Sequence, residues 1–98
     1  MAAFWIAHVT VSDEDVYGKY AALATKAIAE HGGEFLARGG RAVQMEGRAH
    51  PRNVVTKFPS VDAAVKCYES DTYQEALSHA KGASERDLVI VEALPGFE

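Results

Sequence analysis

Arg38 stands between Ala37 and the pair Gly39-Gly40, so flexible backbone carries its guanidinium, which can offer a donor fork to a carboxylate or phosphate. The ordinary alternative is an ion pair, with Glu46 across a bend or with an acid of a partner chain. Glu46 lies where a strand is expected to end, and as a base it would need a buried, apolar setting; otherwise it is a salt-bridge or strand-end residue. His8 interrupts an apolar run and is the residue type suited to acid-base work near neutrality, although a lone strand histidine also serves as a core or interface group. The candidates for catalysis are therefore His8, Arg38 and Glu46, with Arg38 holding an anionic oxygen while His8 or Glu46 moves a proton.

Tyr17, Tyr20, Tyr68 and Tyr73 fall on two expected helices and could together wall an apolar pocket between helix and sheet, their hydroxyls orienting a small aromatic ligand. With Arg38 they form the expected ligand-binding set; core packing is the alternative for each. Ser70 lacks the glycine-flanked elbow and tied histidine of a serine nucleophile, so it is read as a helix cap. Cys67 falls on an apolar helical face and is read as an inert buried thiol. His50 and His79 share no metal-ligand spacing with another His, Cys or acid, so they are placed on the surface and no metal is expected. The glycine pairs lack the strand-to-helix context and following Lys of a phosphate-cradling loop, and no cofactor is expected.

The elements that must position these groups follow from spacing. Phe4 to Val11 is rich in aromatic and β-branched residues and reads as a first strand apolar on both faces. Ser12 before Asp13-Glu14-Asp15 is a candidate N-cap, with an acid three residues on and a first turn of negative charge suited to a helix start. Val16, Tyr20, Leu23 and Ala27 then recur at helical spacing, and Gly32 predicts the left-handed end of the helix close to His31. Glu34 to Gly47 reads as a long second strand broken at Gly39-Gly40, forming a hairpin with a third strand over Asn53 to Phe58. Ser60 caps a second helix kinked or broken near Ser70-Asp71, and Asp87 to Ala93 is the last strand. The order β-α-β-β-α-β predicts one domain over residues 1–98, an α+β ferredoxin-like sandwich with an antiparallel four-stranded sheet and both helices on one face.

A chain of 98 residues buries only roughly 60–65% of its unfolded surface, and pairing with a second copy would relieve that shortage. Apolar residues at both parities of the first and last strands point the same way: the sheet face opposite the helices would be too apolar to leave bare, so a homodimer packed sheet on sheet is expected. With 10 Lys and Arg against 14 Asp and Glu, scattered rather than striped, nucleic acid is not an expected partner. One cysteine, no basic leader and no apolar stretch of about 18–20 residues predict a cytoplasmic protein that does not enter a membrane.

Phe4-Trp5-Ile6-Ala7-His8-Val9-Thr10-Val11, Tyr17 with Tyr20, Gly32-Gly33, Phe35-Leu36-Ala37-Arg38-Gly39-Gly40, Glu46-Gly47, Val54-Val55, Phe58-Pro59-Ser60 and Tyr68-Glu69-Ser70 with Tyr73 resemble the domain of unknown function 1330 family from Phe4 to about Glu92. The resemblance implies a dimeric α/β barrel of ferredoxin-like protomers, found in bacteria, with no established activity. The chain departs from the family's usual pattern at Cys67, where Trp is common, and at His8, where Arg is common. Three functional readings remain: a homodimer binding a small organic molecule between sheet and helices, a cofactor-independent monooxygenase- or isomerase-like enzyme of the dimeric α/β barrel class, and a purely structural or interaction module. A cavity with polar groups converging on it favours the first two; complete pairing of Arg38 with Glu46 and no cavity favours the third.

Overall fold

Alternation along the first strand sets the two sides of the molecule. In the computed structural model, which describes residues 1–97, Ala3, Trp5, Ala7 and Val9 of β1 (Ala3–Val11) are buried, whereas His8 between them is exposed. Successive side chains of a strand leave opposite faces, so the odd positions lie under helices and the even ones face away from them. β1 pairs antiparallel with β3 (Arg52–Phe58) on one side and with β4 (Ser84–Glu92) on the other, and β2 (Glu34–Arg38) pairs with β3. The strand order is β2-β3-β1-β4, which with α1 (Glu14–Glu30), α2 (Val61–Glu69) and α3 (Asp71–Ala80) makes the α+β ferredoxin-like sandwich expected from the sequence.

The helix boundaries have local causes. Ser12 is not the cap of α1: its N–H, like that of Asp13, donates to the Ala83 carbonyl, at 2.8 and 3.2 Å, and the helix begins one residue later than such a cap would start it. Asp13 takes the role instead, its carboxylate accepting from the Val16 N–H at 3.1 Å. Gly32 ends α1 with a φ of +79°, a conformation open to glycine at no steric cost, and Gly33 passes so close to Phe58 that an added Cβ would lie 2.9 Å from its ring. Ser70 both closes α2 and opens α3, donating to the Cys67 carbonyl at 2.7 Å and accepting from the Tyr73 N–H at 3.2 Å. The expected break in the second helix is thus a shared cap.

The second strand is shorter than its composition suggests. β2 stops at Arg38, because Gly39 turns the chain away with a φ of +74° after a last bond of 3.4 Å to the Asn53 carbonyl. Its register shift falls between Phe35 and Ala37 rather than at the glycine pair. Residues 40–51 form no strand; they run back to β3 across one end of the open sheet face, where Arg48 pairs with Glu85 of β4 at 2.6 Å and His50 binds Thr10 of β1 at 2.9 Å. Among the described residues no helix is long and apolar enough to cross a membrane.

Beneath the helices, Trp5 packs against Phe58, Tyr68 and Tyr73 with ring centroids 5.5, 6.0 and 5.1 Å away. Thr56, opposite Trp5 on β3, is fully buried, and its hydroxyl has no hydrogen-bond partner among the described residues. An orphaned buried hydroxyl costs about 1–3 kcal/mol. Thr56→Val keeps the shape and removes that hydroxyl, so it is expected to stabilise the fold by about 1 kcal/mol, a rise of roughly 4–8 °C in melting temperature for a domain of this size. Thermal denaturation followed by circular dichroism checks this; an unchanged or lower melting temperature contradicts the assignment of an orphaned group.

Candidate functional site

Small residues facing one another leave a space between the sheet and α1. Ala7 and Val9 of β1 form its floor, Ala21 and Ala24 of α1 its roof, and the resulting cavity of about 500 Å³ is closed laterally by Trp5, Ile28, Phe35 and Val54. Three guanidinium groups reach it, those of Arg38, Arg52 and Arg86, and no carboxylate, histidine or cysteine is among the residues that line it. The sheet register explains their convergence. Val9 sits directly between Arg52 of β3 and Arg86 of β4, so the two arginines leave the sheet on the helix side in one row, their Cα atoms about 10 Å apart for strands spaced ~4.8 Å. Arg38 stands opposite Val54, one step further along β3 on the same face.

Each arginine rests on an aromatic ring. The Arg38 guanidinium carbon lies 4.2 Å from the centroid of Phe35, that of Arg52 5.3 Å from Tyr17, and that of Arg86 4.5 Å from Tyr20. Such stacking holds a planar cation without consuming its in-plane donors. Arg52 also reaches the exposed Glu14 at 3.3 Å, and Arg38 approaches the Thr25 hydroxyl at 3.4 Å. No pair between Arg38 and Glu46 forms among the described residues.

Arg86 is the most enclosed of the three. Its Nη2 donates to the hydroxyls of Tyr20 and Tyr73, at 2.7 and 3.3 Å, and those hydroxyls are themselves 2.7 Å apart. Burial works against the Arg86 charge, but the tyrosine oxygens favour it more, and its pKa lies above the ordinary arginine value. Burial, and then Tyr73, pushes the Tyr20 phenol well up despite the opposing Arg86 charge; burial likewise raises Tyr73. At neutral pH the group is one cation beneath two protonated phenols.

The structure brings together only part of the set read from the sequence. Tyr17, Tyr20 and Arg38 line the cavity. Tyr73 is fully buried behind Tyr20 and supports it, and Tyr68 borders a separate depression of about 340 Å³ with Leu77, Lys81 and Arg86. Glu46 is exposed in the segment after β2, its carbonyl accepting from the Gln44 amide, so it does not meet Arg38. His8 projects from the opposite sheet face, bonded through Nδ1 to Asn53 at 2.6 Å and stacked 6.4 Å from His50. The sheet separates His8 from Arg38, which removes the arrangement in which one holds an oxygen while the other moves a proton within a single cavity. His50 is buried rather than on the surface, because the returning segment turns it onto the sheet, where Thr10 holds it at 2.9 Å and Asp87 at 3.5 Å. Among the described residues no three His, Cys, Asp or Glu side chains gather as a metal ion would need.

Sequence reasoning missed Arg52 and Arg86. The signal was parity: Arg86 shares its face with Leu88 and Ile90, both packed on the core, and Arg52 shares its face with Val54, Thr56 and Phe58. A charge on the inward parity of a strand is the informative position.

Comparison with known proteins agrees with the fold. The model of a family described as domain of unknown function (DUF1330) matches residues 2–94. The fold is similar to that of a protein of unknown function from Rhodopseudomonas palustris, with a TM-score of 0.79, 18% identity, and 95% of this chain and 82% of that one covered. It is also similar to SnoaB, a cofactor-independent oxygenase from Streptomyces nogalater, with a TM-score of 0.68, 10% identity and 98% and 96% of the two chains covered. A third similar structure, a dimeric protein of unknown function and ferredoxin-like fold from Bacteroides fragilis, gives a TM-score of 0.64 at 13% identity over 94% and 96% of the chains. No curated protein matches the sequence.

Cys67 lies apart from the cavity in the core, where burial, and then the charge of Glu30, pushes its thiol up to about 11. A thiol raised from an ordinary 9.0 contributes stability that is fully present below pH 9.0 and is lost as the pH climbs through about 11. At about pH 8 the native protein is expected to leave a disulfide reagent such as dithionitrobenzoate unreacted and to react fully once unfolded in guanidinium chloride. Rapid labelling of the native protein would contradict this.

Proposed function

The chain belongs to the domain of unknown function (DUF1330) family, and we propose that it works as a homodimer that binds a small organic anion in the cavity between the sheet and α1. One observation carries the proposal: Arg38, Arg52 and Arg86 converge on an otherwise apolar, aromatic-walled space of about 500 Å³ that no acidic side chain lines, in a protein whose formal net charge is -4. Cations gathered against the sign of the whole chain and stacked on rings suit a carboxylate on an aromatic or alicyclic body. Tyr17 and Tyr20 supply the stacking surface, and Arg38 stands exposed at the mouth, where an anion would first be met.

The homodimer draws its support from the other sheet face. Val89 is 54% exposed and Val91 46%, beside the half-buried Phe4, Ile6 and Val55 of the same face, and the similar protein from Bacteroides fragilis is described as dimeric. Apolar side chains gathered and exposed on one sheet face suit an interface with a second copy. The likeness to a cofactor-independent oxygenase favours a second reading, in which the bound anion is also turned over. The two readings part on oxygen consumption in the presence of a bound ligand.

Two measurements test these statements. Titration calorimetry with benzoate and naphthoate is expected to show binding that weakens with salt, and Arg38→Ala is expected to weaken it about tenfold, the worth of one charge-assisted contact of ~1.5 kcal/mol. Absence of binding to the unaltered protein sinks the anion reading. For the assembly, Val89→Lys is expected to convert the dimer into a folded monomer in sedimentation velocity; a monomeric parent protein removes that part of the proposal.

A further inference from the structure

The hydroxyls above Arg86 contain one more proton than the protein accepts. Arg86 can only donate, and it donates to both phenol oxygens. The contact between Tyr20 and Tyr73 at 2.7 Å consumes one phenol proton, and the other meets no acceptor among the described residues. Two assignments are open to the pair. If Tyr20 donated to Tyr73, the spare proton would belong to Tyr73, which is fully buried, and a buried donor without an acceptor is costly. If Tyr73 donates to Tyr20, the spare proton belongs to Tyr20, which lines the cavity and can turn its O–H into it. The second assignment leaves neither phenol proton buried and unpaired, and within this group the Arg86 Nε–H alone lacks a partner among the described residues.

We infer that Tyr20 is a hydrogen-bond donor kept for the ligand, and that the cavity takes a small oxo acid: a largely apolar body with a carboxylate for Arg38 at the mouth and a carbonyl oxygen for Tyr20 further in. This rests on the reading that the cavity binds a small organic anion. A carbonyl oxygen accepts and never donates, which complements a site whose partners above Arg86 are all donors. The phenol that makes the contact already accepts from a cation and from a second phenol, and each of those bonds polarises its own O–H and strengthens the donation. The apolar body between the two oxygens is provided for by Val9, Ala7 and Trp5 below and by Ala21 and Ala24 above. Tyr73 makes no contact with the ligand: it donates to the Tyr20 oxygen, and the Tyr20 proton stays free for the cavity with or without that bond.

The test uses matched ligands on the full chain: the ortho, meta and para acetylbenzoates against the isopropylbenzoates of the same pattern, which keep the carboxylate and the shape but lack the carbonyl. For at least one pattern the ketone is expected to bind about tenfold more tightly, the size of one well-made hydrogen bond to a polarised donor. Tyr20→Phe is expected to bring that ratio to about one while leaving the isopropylbenzoate affinity in place, and Tyr73→Phe is expected to preserve the ratio. A ratio near one for all three pairs overturns the assignment while the anion reading stands, as does a ratio that survives Tyr20→Phe or vanishes only in Tyr73→Phe. If no benzoate of either series binds, the anion reading fails and this one with it. Should Tyr20→Phe not fold, the ratio measured on the unaltered protein decides alone.

Discussion

A guanidinium beneath two helices is the most demanding group in this fold. Placing Arg86 on the inward parity of β4 takes a charge out of water, and such a charge persists only where donors and acceptors are arranged around it. Tyr20 arrives from α1 and Tyr73 from α3, so satisfying one side chain ties both helices to an edge strand of the sheet. The aromatic contacts radiate from the same place: Tyr73 stands edge-on to both Trp5 and Tyr20, and Tyr17 lies 4.8 Å from Tyr20. Core and cavity wall are therefore one aromatic assembly, organised about a cation that an apolar core would not contain.

The sheet then keeps two chemistries apart. On the helix side the arginines and tyrosines meet around an apolar space. On the other side the polar groups His8, Thr10, Asn53, Glu85 and Asp87 occupy one end, where the segment after β2 crosses and fastens through Arg48 and His50. The contact between Arg48 and Glu85 lowers the pKa of Glu85 and raises that of Arg48, yet both side chains are open to solvent, so the pair fixes the path of the segment more than it adds stability. Only the other end of that face, with Val89, Val91, Ile6 and Val55, is left apolar. A second copy would have to cover roughly half a sheet face, not all of it.

How much of this could be read from the sequence depends on whether a signal is local. The cap expected at Ser12, Gly32 at the end of α1 and Ser70 between two helices are decided within a few residues, and the cap alone differs, falling on Asp13 because the Ser12 and Asp13 N–H groups are taken by the Ala83 carbonyl from far along the chain. The segment from Val43 to Glu46 alternates apolar and polar residues as a strand does, but β3 begins at Arg52 and offers it nothing to pair with, and Val43 and Met45 stay exposed. The site was half legible. Tyr17, Tyr20 and Arg38 could be named from type and position, whereas the row Arg52, Val9, Arg86 exists only through the pairing of β1 with two strands that both helices α2 and α3 separate in the chain.

The cavity itself was hidden by its own cause. Ala21 and Ala24 read as ordinary helix formers and Ala7 as a small residue in an apolar strand, so none signals a site. Ala7 and Ala24, buried and opposed across the interior, keep α1 and β1 from closing on each other, since a Leu or Ile at either would fill the space that the aromatic rings and guanidinium groups surround, while the exposed Ala21 borders that space from outside. A core of this size would gain stability from such a residue: each buried methylene is worth about 0.8 kcal/mol. That two facing buried positions carry Ala, over a half-buried cation that itself needs compensation, means that the interior forgoes packing and apolar uniformity at the same place. Those two costs have a common explanation if the space is filled by a molecule whose body is apolar and whose ends are oxygens, because its binding would restore the missing contacts and occupy the unused donors together.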